Sequence, residues 1–477
     1  MNVAARLQLL AIVTALLGTA APSAAHEDSA RADRIGYALR ELASPEYDGR
    51  LTGSTGNLAA AERMAAHLEE LGFEPLPGQE SLLHWYRQPV VEMGATPQLR
   101  IEYADDSSQM LSPGIDFTVE IRETTRFSGA IQAPIVELTP PRANPSWIAE
   151  NRDAAIVVTA AQLDHLSRNA EVMGALFHPT RGPAALLIAV PDEVSALPRN
   201  LFLTADRYSN RGPMLVQVTA EAAARLRDES ARRVVIEASH RVTTARVANV
   251  AGMLVPITPE EDTAPEDGRD AWELDTFGQA GPDGRPPVVV SAHFDGPGRL
   301  VSEWHYPGAI DNASGVAVVL EVARSLAETA TRERPVWVVL FNGEEQGLRG
   351  SAAFASEYRD ILDRGDGSRV VNVDTVGHSR DVPFTISTTA GSLPLGLRVD
   401  HALEQERLRT HRRTMGGSDH DSFGGAGFRR AQALSIVQTP YRQMHTRDDE
   451  PANAELDVLA SVAEAVLTVA TDLAGAD

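Results

Sequence analysis

Four short, unbroken apolar runs in the C-terminal half constrain this chain most. They are Val288–Val290, Val336–Phe341, Val370–Val373 and Ala433–Val437. Runs this short and this apolar suit strands buried on both faces of a mostly parallel sheet. Amphipathic stretches lie between them. Gly315 to Leu326 carries Val316, Val319, Leu320, Ala323 and Leu326 on one face, and Glu455 to Leu473 does the same with Leu459, Val462, Val466, Val469 and Leu473. Strand and helix in alternation predict an α/β sandwich, with a mostly parallel central sheet and helices on both faces.

Ligand sites in open α/β sheets gather at the carboxyl ends of the strands, and here those ends carry acid and imidazole. His293-Phe-Asp295 follows the first run, Asn342-Gly-Glu344-Glu345 the second and Asp374 the third, while a loop leads from the fourth to His445. Asp311 opens the Gly315 helix. Any one of these is an ordinary cap or surface charge. Five together at one rim fit the donor set of zinc, which takes histidine nitrogen and carboxylate oxygen. A bridging carboxylate would hold two such ions about 3.5–4 Å apart. A neighbouring unligated Glu could take a proton from an activated water. The Asp of the His-x-Asp pair suits the task of fixing an imidazole tautomer.

Composition narrows the chemistry further. Among 477 residues there is no cysteine, and the 43 basic residues are all arginine, since lysine is absent. Disulfides, thiolate zinc sites, cysteine nucleophiles, lysine Schiff bases and a phosphate-loop lysine are therefore excluded. Acidic residues number 66, for a net charge of -23, which argues against a nucleic-acid partner.

The N-terminus reads as a signal peptide over 1–25. Arg6 gives a short positive region, Leu7–Leu17 an apolar stretch and Ser23-Ala-Ala25 a small-residue cleavage site. The mature protein is then expected to be periplasmic or secreted, without stable membrane insertion, because no later run reaches the roughly 20 apolar residues of a span. Residues 26–94 read as a first part of the catalytic domain, with helical periodicity from Arg31 to Leu71 and a stop at Gly72. Residues 95–245 mix short β-type runs with helical pieces and read as an inserted mixed α/β domain. Residues 246–477 complete the catalytic domain, with Pro256–Arg285 as an extended acidic loop.

The motifs Ser291-Ala-His-Phe-Asp295, Gly308-Ala-Ile-Asp-Asn-Ala-Ser-Gly315, Gly343-Glu-Glu-Gln-Gly-Leu-Arg-Gly-Ser351, Val373-Asp374, Ser418-Asp-His-Asp-Ser-Phe423 and His445-Thr446 follow one another in a fixed order. That order resembles the co-catalytic zinc aminopeptidase family, the clan of leucine-type and aminopeptidase Y-type exopeptidases. The central part looks like the protease-associated insert of some members, through Met173-Gly-Ala-Leu176, Gly182–Ile188 and Val216–Ala220. The resemblance implies a zinc exopeptidase fold interrupted by a smaller protease-associated-like domain, two Zn2+ ions, and a peptide substrate with a free N-terminus. It also implies roles. His293 and Asp374 would bind one zinc, Glu345 and His445 the other, and Asp311 both. Glu344 would be the general base, Asp295 would orient His293, and the Asp311–Asn312 peptide would be cis.

Many family members place tyrosine just before the last histidine ligand, where its hydroxyl helps hold the oxyanion; this chain has Met444 there, and Tyr441 is the nearest replacement. Tyr441 and Asp419 are accordingly candidate substrate-binding residues. Three rival functions share parts of this pattern: a glutaminyl cyclase-like transferase, a carboxypeptidase or deacylase on the same scaffold, and a binding ectodomain built on an inactive peptidase fold.

Overall fold

The structure is a computed structural model, and it describes residues 24–475 apart from 121–128, 140–142, 192–211, 258–284, 302–303, 415 and 426. The expected leader therefore lies outside the described residues, except for Ala24 and Ala25 at the start of a helix, and so does most of the Pro256–Arg285 loop. No helix among the described residues is long and apolar enough to cross a membrane.

Among the described residues the main body holds six longer helices: α1 (Ala24–Leu42), α2 (Thr55–Glu70), α3 (Ser314–Ala327), α4 (Arg349–Glu357), α5 (Leu393–Gln405) and α6 (Leu456–Ala474). Its strands are β1 (Glu74–Pro75), β2 (Leu83–Met93), β3 (His240–Leu254), β4 (Val288–His293), β5 (Val336–Phe341), β6 (Arg369–Asp374), β7 (Phe384–Thr388), β8 (Thr410–Arg413) and β9 (Gln432–Val437). They form one sheet in the order β1-β3-β5-β4-β6-β9-β7-β8, with β2 also on β3. The centre of the sheet, β5-β4-β6-β9, is parallel throughout. These are the four apolar runs read from the sequence.

Burial on both faces explains why those runs do not alternate with polar residues. In β5, Val336, Val338 and Leu340 join a core with α1, α2, α3 and α6, through residues such as Ile35, Leu68, Val319 and Val462. Trp337, Val339 and Phe341 point the other way, into an aromatic core with Phe354, Tyr358 and Phe423. Trp337 stands edge-on to Phe354 and Tyr358, at centroid distances of 6.1 and 5.3 Å. Helix α2 begins where the Ser54 side chain accepts Asn57 N–H, and ends just before Gly72, whose φ is +82°.

A second sheet comes from residues 98–238. Its strands at 129–137, 155–159, 185–189 and 214–218 run parallel, and antiparallel neighbours flank them. It has its own apolar centre around Leu99, Phe117, Val157, Leu187 and Val216. The link between the two sheets is a ribbon: β2 and β3 pair without a break from Leu83↔Val250 to Met93↔His240. The division expected after residue 245 falls inside β3, which runs unbroken from His240 to Leu254 and pairs wholly within the larger sheet.

Candidate metal centre and active site

Parallel register brings the chemistry to one edge. His293 is the last residue of β4 and pairs with Phe341, just before the Asn342–Gln346 loop; Asp374 ends β6 and pairs with Val437. Asp311 comes from the turn that precedes α3, and the Asp311–Asn312 peptide is cis, as the resemblance implies. His445 lies on the loop between β9 and α6.

These residues converge in two overlapping groups, His293/Asp311/Asp374 and Asp311/Glu345/His445, each with ligand atoms within 4.8 Å of one another. His293 Nε2 is 3.3 Å from Asp311 Oδ1 and 3.4 Å from Asp374 Oδ1. His445 Nε2 is 3.0 Å from Asp311 Oδ2 and 3.0 Å from Glu345 Oε2. Asp311 thus turns one oxygen to each imidazole, which is the arrangement a bridging carboxylate requires.

The electrostatics tell the same story. Burial pulls both imidazoles down, but the surrounding carboxylates, Glu344 and Asp374 at His293 and Glu345 and Asp311 at His445, carry both well above the ordinary histidine range. Burial would raise Asp311, yet the two histidines hold it below the usual carboxylate range. For Glu344, burial acts first and is opposed by His293; with Asp374, Asp419 and Glu345 adding negative charge, its carboxyl stands well above its ordinary value. Such a pocket has more buried negative charge than its histidines balance, and a divalent cation would displace their protons. Glu345 Oε1 is buried without a hydrogen-bond partner among the described residues, a carboxylate oxygen left over for a cation. Nitrogen and oxygen donors of this kind fit zinc.

Behind the cluster stand residues whose role goes beyond the sequence reading. Asp295 does face His293, with Oδ1 3.6 Å and its carbonyl oxygen 3.3 Å from Nδ1. Its carboxylate also accepts the backbone N–H of Glu344 at 3.1 Å and of Glu345 at 3.2 Å. Asp449 accepts the N–H of Ile310 at 2.8 Å and of Asp311 at 3.1 Å, so it fixes the backbone that delivers the shared carboxylate. Ser418 Oγ donates to Asp374 Oδ2 at 2.5 Å. The buried Arg50 guanidinium donates to the carbonyls of Phe294, Pro307 and Gly308, tying the loop after β4 to the turn before α3. Burial lowers this group to about 10. A chain position four residues after His445 was the only sequence signal for Asp449, and Arg50 carried none.

Two expected substrate contacts are corrected. The Tyr441 hydroxyl donates to Asp449 Oδ1 at 2.8 Å and accepts from Asn453 at 3.0 Å, so it supports the Asp311 turn from behind and has no proton left for an oxyanion. Asp419 is fully buried in a short turn against β6 and β9, without surface for a substrate, and burial raises its carboxyl to about 7. His420 is also internal, with Nδ1 2.8 Å from Ser435 Oγ, and His401 is exposed.

Fold and donor set together define an α/β protein with a candidate metal centre at the carboxyl edge of its parallel sheet. Residues 276–470 match the family model described as Peptidase family M28. BSAP, a zinc aminopeptidase from Bacillus subtilis, shares the fold with a TM-score of 0.65 at 18% identity, over 93% of this chain and 95% of its own. An aminopeptidase from Aneurinibacillus sp. strain AM-1 does so with a TM-score of 0.57 at 18% identity, over 92% and 93% of the two chains. A "Probable zinc metalloprotease" of Pyricularia oryzae is 44% identical over 98 residues, 19% of this chain and 18% of its own length. One of Pyrenophora tritici-repentis is 36% identical over 116 residues, 24% of this chain and 25% of its own. The chain thus matches a quarter or less of the length of these curated relatives.

Proposed function

We propose that the protein is a secreted or periplasmic aminopeptidase with two zinc ions, which removes N-terminal residues from peptides. The observation that carries this reading is Asp311, with Oδ1 toward His293 and Oδ2 toward His445. His293, Asp374 and Asp311 would hold one ion, and Glu345, His445 and Asp311 the other. When bound, the pair would polarise the scissile carbonyl and acidify a water. Glu344, next to ligand Glu345, would accept the proton of the attacking water and deliver it to the leaving amine. Its raised affinity for protons suits a group that must take one up and give it away. Asp295 would hold Glu344 and Glu345 by their backbone and His293 by its Nδ1 side. The second sheet, residues 98–238, is read as the protease-associated-like insert. The family match and the zinc aminopeptidase named among the fold relatives support the reading.

A panel of amino-acid p-nitroanilides and N-blocked peptides, assayed with and without chelator, tests it. The expected result is hydrolysis of free-amine substrates only, lost with chelator and restored by zinc. Cleavage of N-blocked substrates alone would overturn the aminopeptidase direction, and indifference to chelator would overturn the metal assignment.

A further inference from the structure

The Glu344 loop is held from a second side, by the ribbon that carries the other sheet. Tyr86 and Gln88 sit two residues apart on β2, so both side chains leave the same face of the strand. That face meets the Asn342–Gln346 loop. The Tyr86 hydroxyl lies 2.7 Å from the Asn342 carbonyl, to which it donates, and 2.9 Å from Gln88 Oε1. Gln88 Nε2 donates to Gln346 Oε1 at 2.6 Å. The two contacts bracket Glu344, two residues on either side. Gly343, between them, has φ +77°, and a Cβ there would lie 2.4 Å from Gln88 Oε1 and 3.0 Å from the Tyr86 hydroxyl. Only glycine allows both this backbone conformation and so close an approach. Gln88 is 2% exposed, so its amide bonds form away from competing water.

We propose that Tyr86 and Gln88 are positioning residues for Glu344. They clamp both ends of its loop, while Asp295 holds the backbone N–H groups of Glu344 and Glu345 at the middle. The ribbon that leads to the second sheet is thereby part of the frame of the proton-transfer group. This rests on the reading of Glu344 as the general base.

The test uses the full, zinc-loaded chain and the variants Tyr86→Phe and Gln88→Ala. Tyr86→Phe removes one oxygen and no packing volume, so it preserves the fold. Misplacing a reacting group by about 1 Å can cost roughly a hundredfold, and we expect kcat to fall about ten- to a hundredfold in each variant. KM and zinc content should stay near the wild-type values, and the amides of residues 343–347 should exchange hydrogen faster. Arg246→Ala is the control. It removes the guanidinium 4.5 Å above the Trp85 ring, on the opposite face of the same ribbon, and should leave kcat unchanged. Unchanged kcat and exchange in Tyr86→Phe and Gln88→Ala would overturn the proposal, as would an equal loss in Arg246→Ala. Glu344→Gln is measured alongside: full turnover there would overturn the base reading and this inference with it, whereas a loss there and none in the ribbon variants overturns this inference alone.

Discussion

Asp295 ties His293, Glu344 and Glu345 together through one carboxylate. It faces the Nδ1 side of His293 and accepts the N–H groups of both Glu344 and Glu345. An asparagine there keeps the shape but presents an amide donor to one of two backbone donors, so one N–H loses its partner. Partners behind metal ligands typically carry 10–100-fold in metal affinity or activity. Asp295→Asn should therefore lose roughly 10–100-fold in turnover or zinc affinity; unchanged kinetics and zinc content would remove Asp295 from the account. The His-x-Asp spacing made the contact with His293 legible in the sequence. The bonds to Glu344 and Glu345 were not, because they depend on β4 and β5 being neighbours in space, which no local spacing encodes. Asp449 and Tyr441 teach the same lesson. Tyr441 looked available because it stands near His445 in sequence, but its hydroxyl is spent on a carboxylate that serves the Asp311 turn.

The start of α3 shows how tightly two elements are pressed together at the site. Asn312 Nδ2 donates to the Val373 carbonyl at 2.9 Å, and its Oδ1 accepts Gly315 N–H at 2.9 Å and Thr375 N–H at 3.1 Å. This one side chain joins the turn that supplies Asp311 to the strand end that supplies Asp374. Gly315 makes the approach possible, since a Cβ there would lie 2.4 Å from the Val373 carbonyl oxygen and 2.3 Å from Asn312 Oδ1. Both atoms are held in place by those bonds, so neither can move away without loss. Gly315→Ala should lower the unfolding temperature and weaken zinc binding together, and wild-type behaviour in both would contradict the proposed packing. Elements with a clear period were legible: the four central strands and helices α3 and α6 lie where apolar runs and stripes put them, because burial on known faces dictates the pattern. The ribbon was not. β2 and β3 carry polar residues such as His84, Gln88 and Asn249 that are buried yet paired across the ribbon and to neighbouring loops. Such residues break the apolar signal without weakening the strand.

At the scale of the whole molecule, the two sheets have separate apolar cores and are linked through one ribbon of the larger sheet, and only the larger sheet holds a cluster of metal-type ligands among the described residues. The composition fits this division of labour. A chain with no cysteine and no lysine can still build a centre of two histidines and three carboxylates with a fourth carboxylate as base. The central claim is that Glu344 moves the proton while other residues hold the metal. It separates metal binding from turnover, and one sample can report both. Glu344→Gln, reconstituted with zinc, should keep two zinc ions per chain and lose turnover of an amino-acid p-nitroanilide by about 10²–10⁴-fold, the usual worth of general-base catalysis. Near-normal turnover with both ions bound would contradict the account.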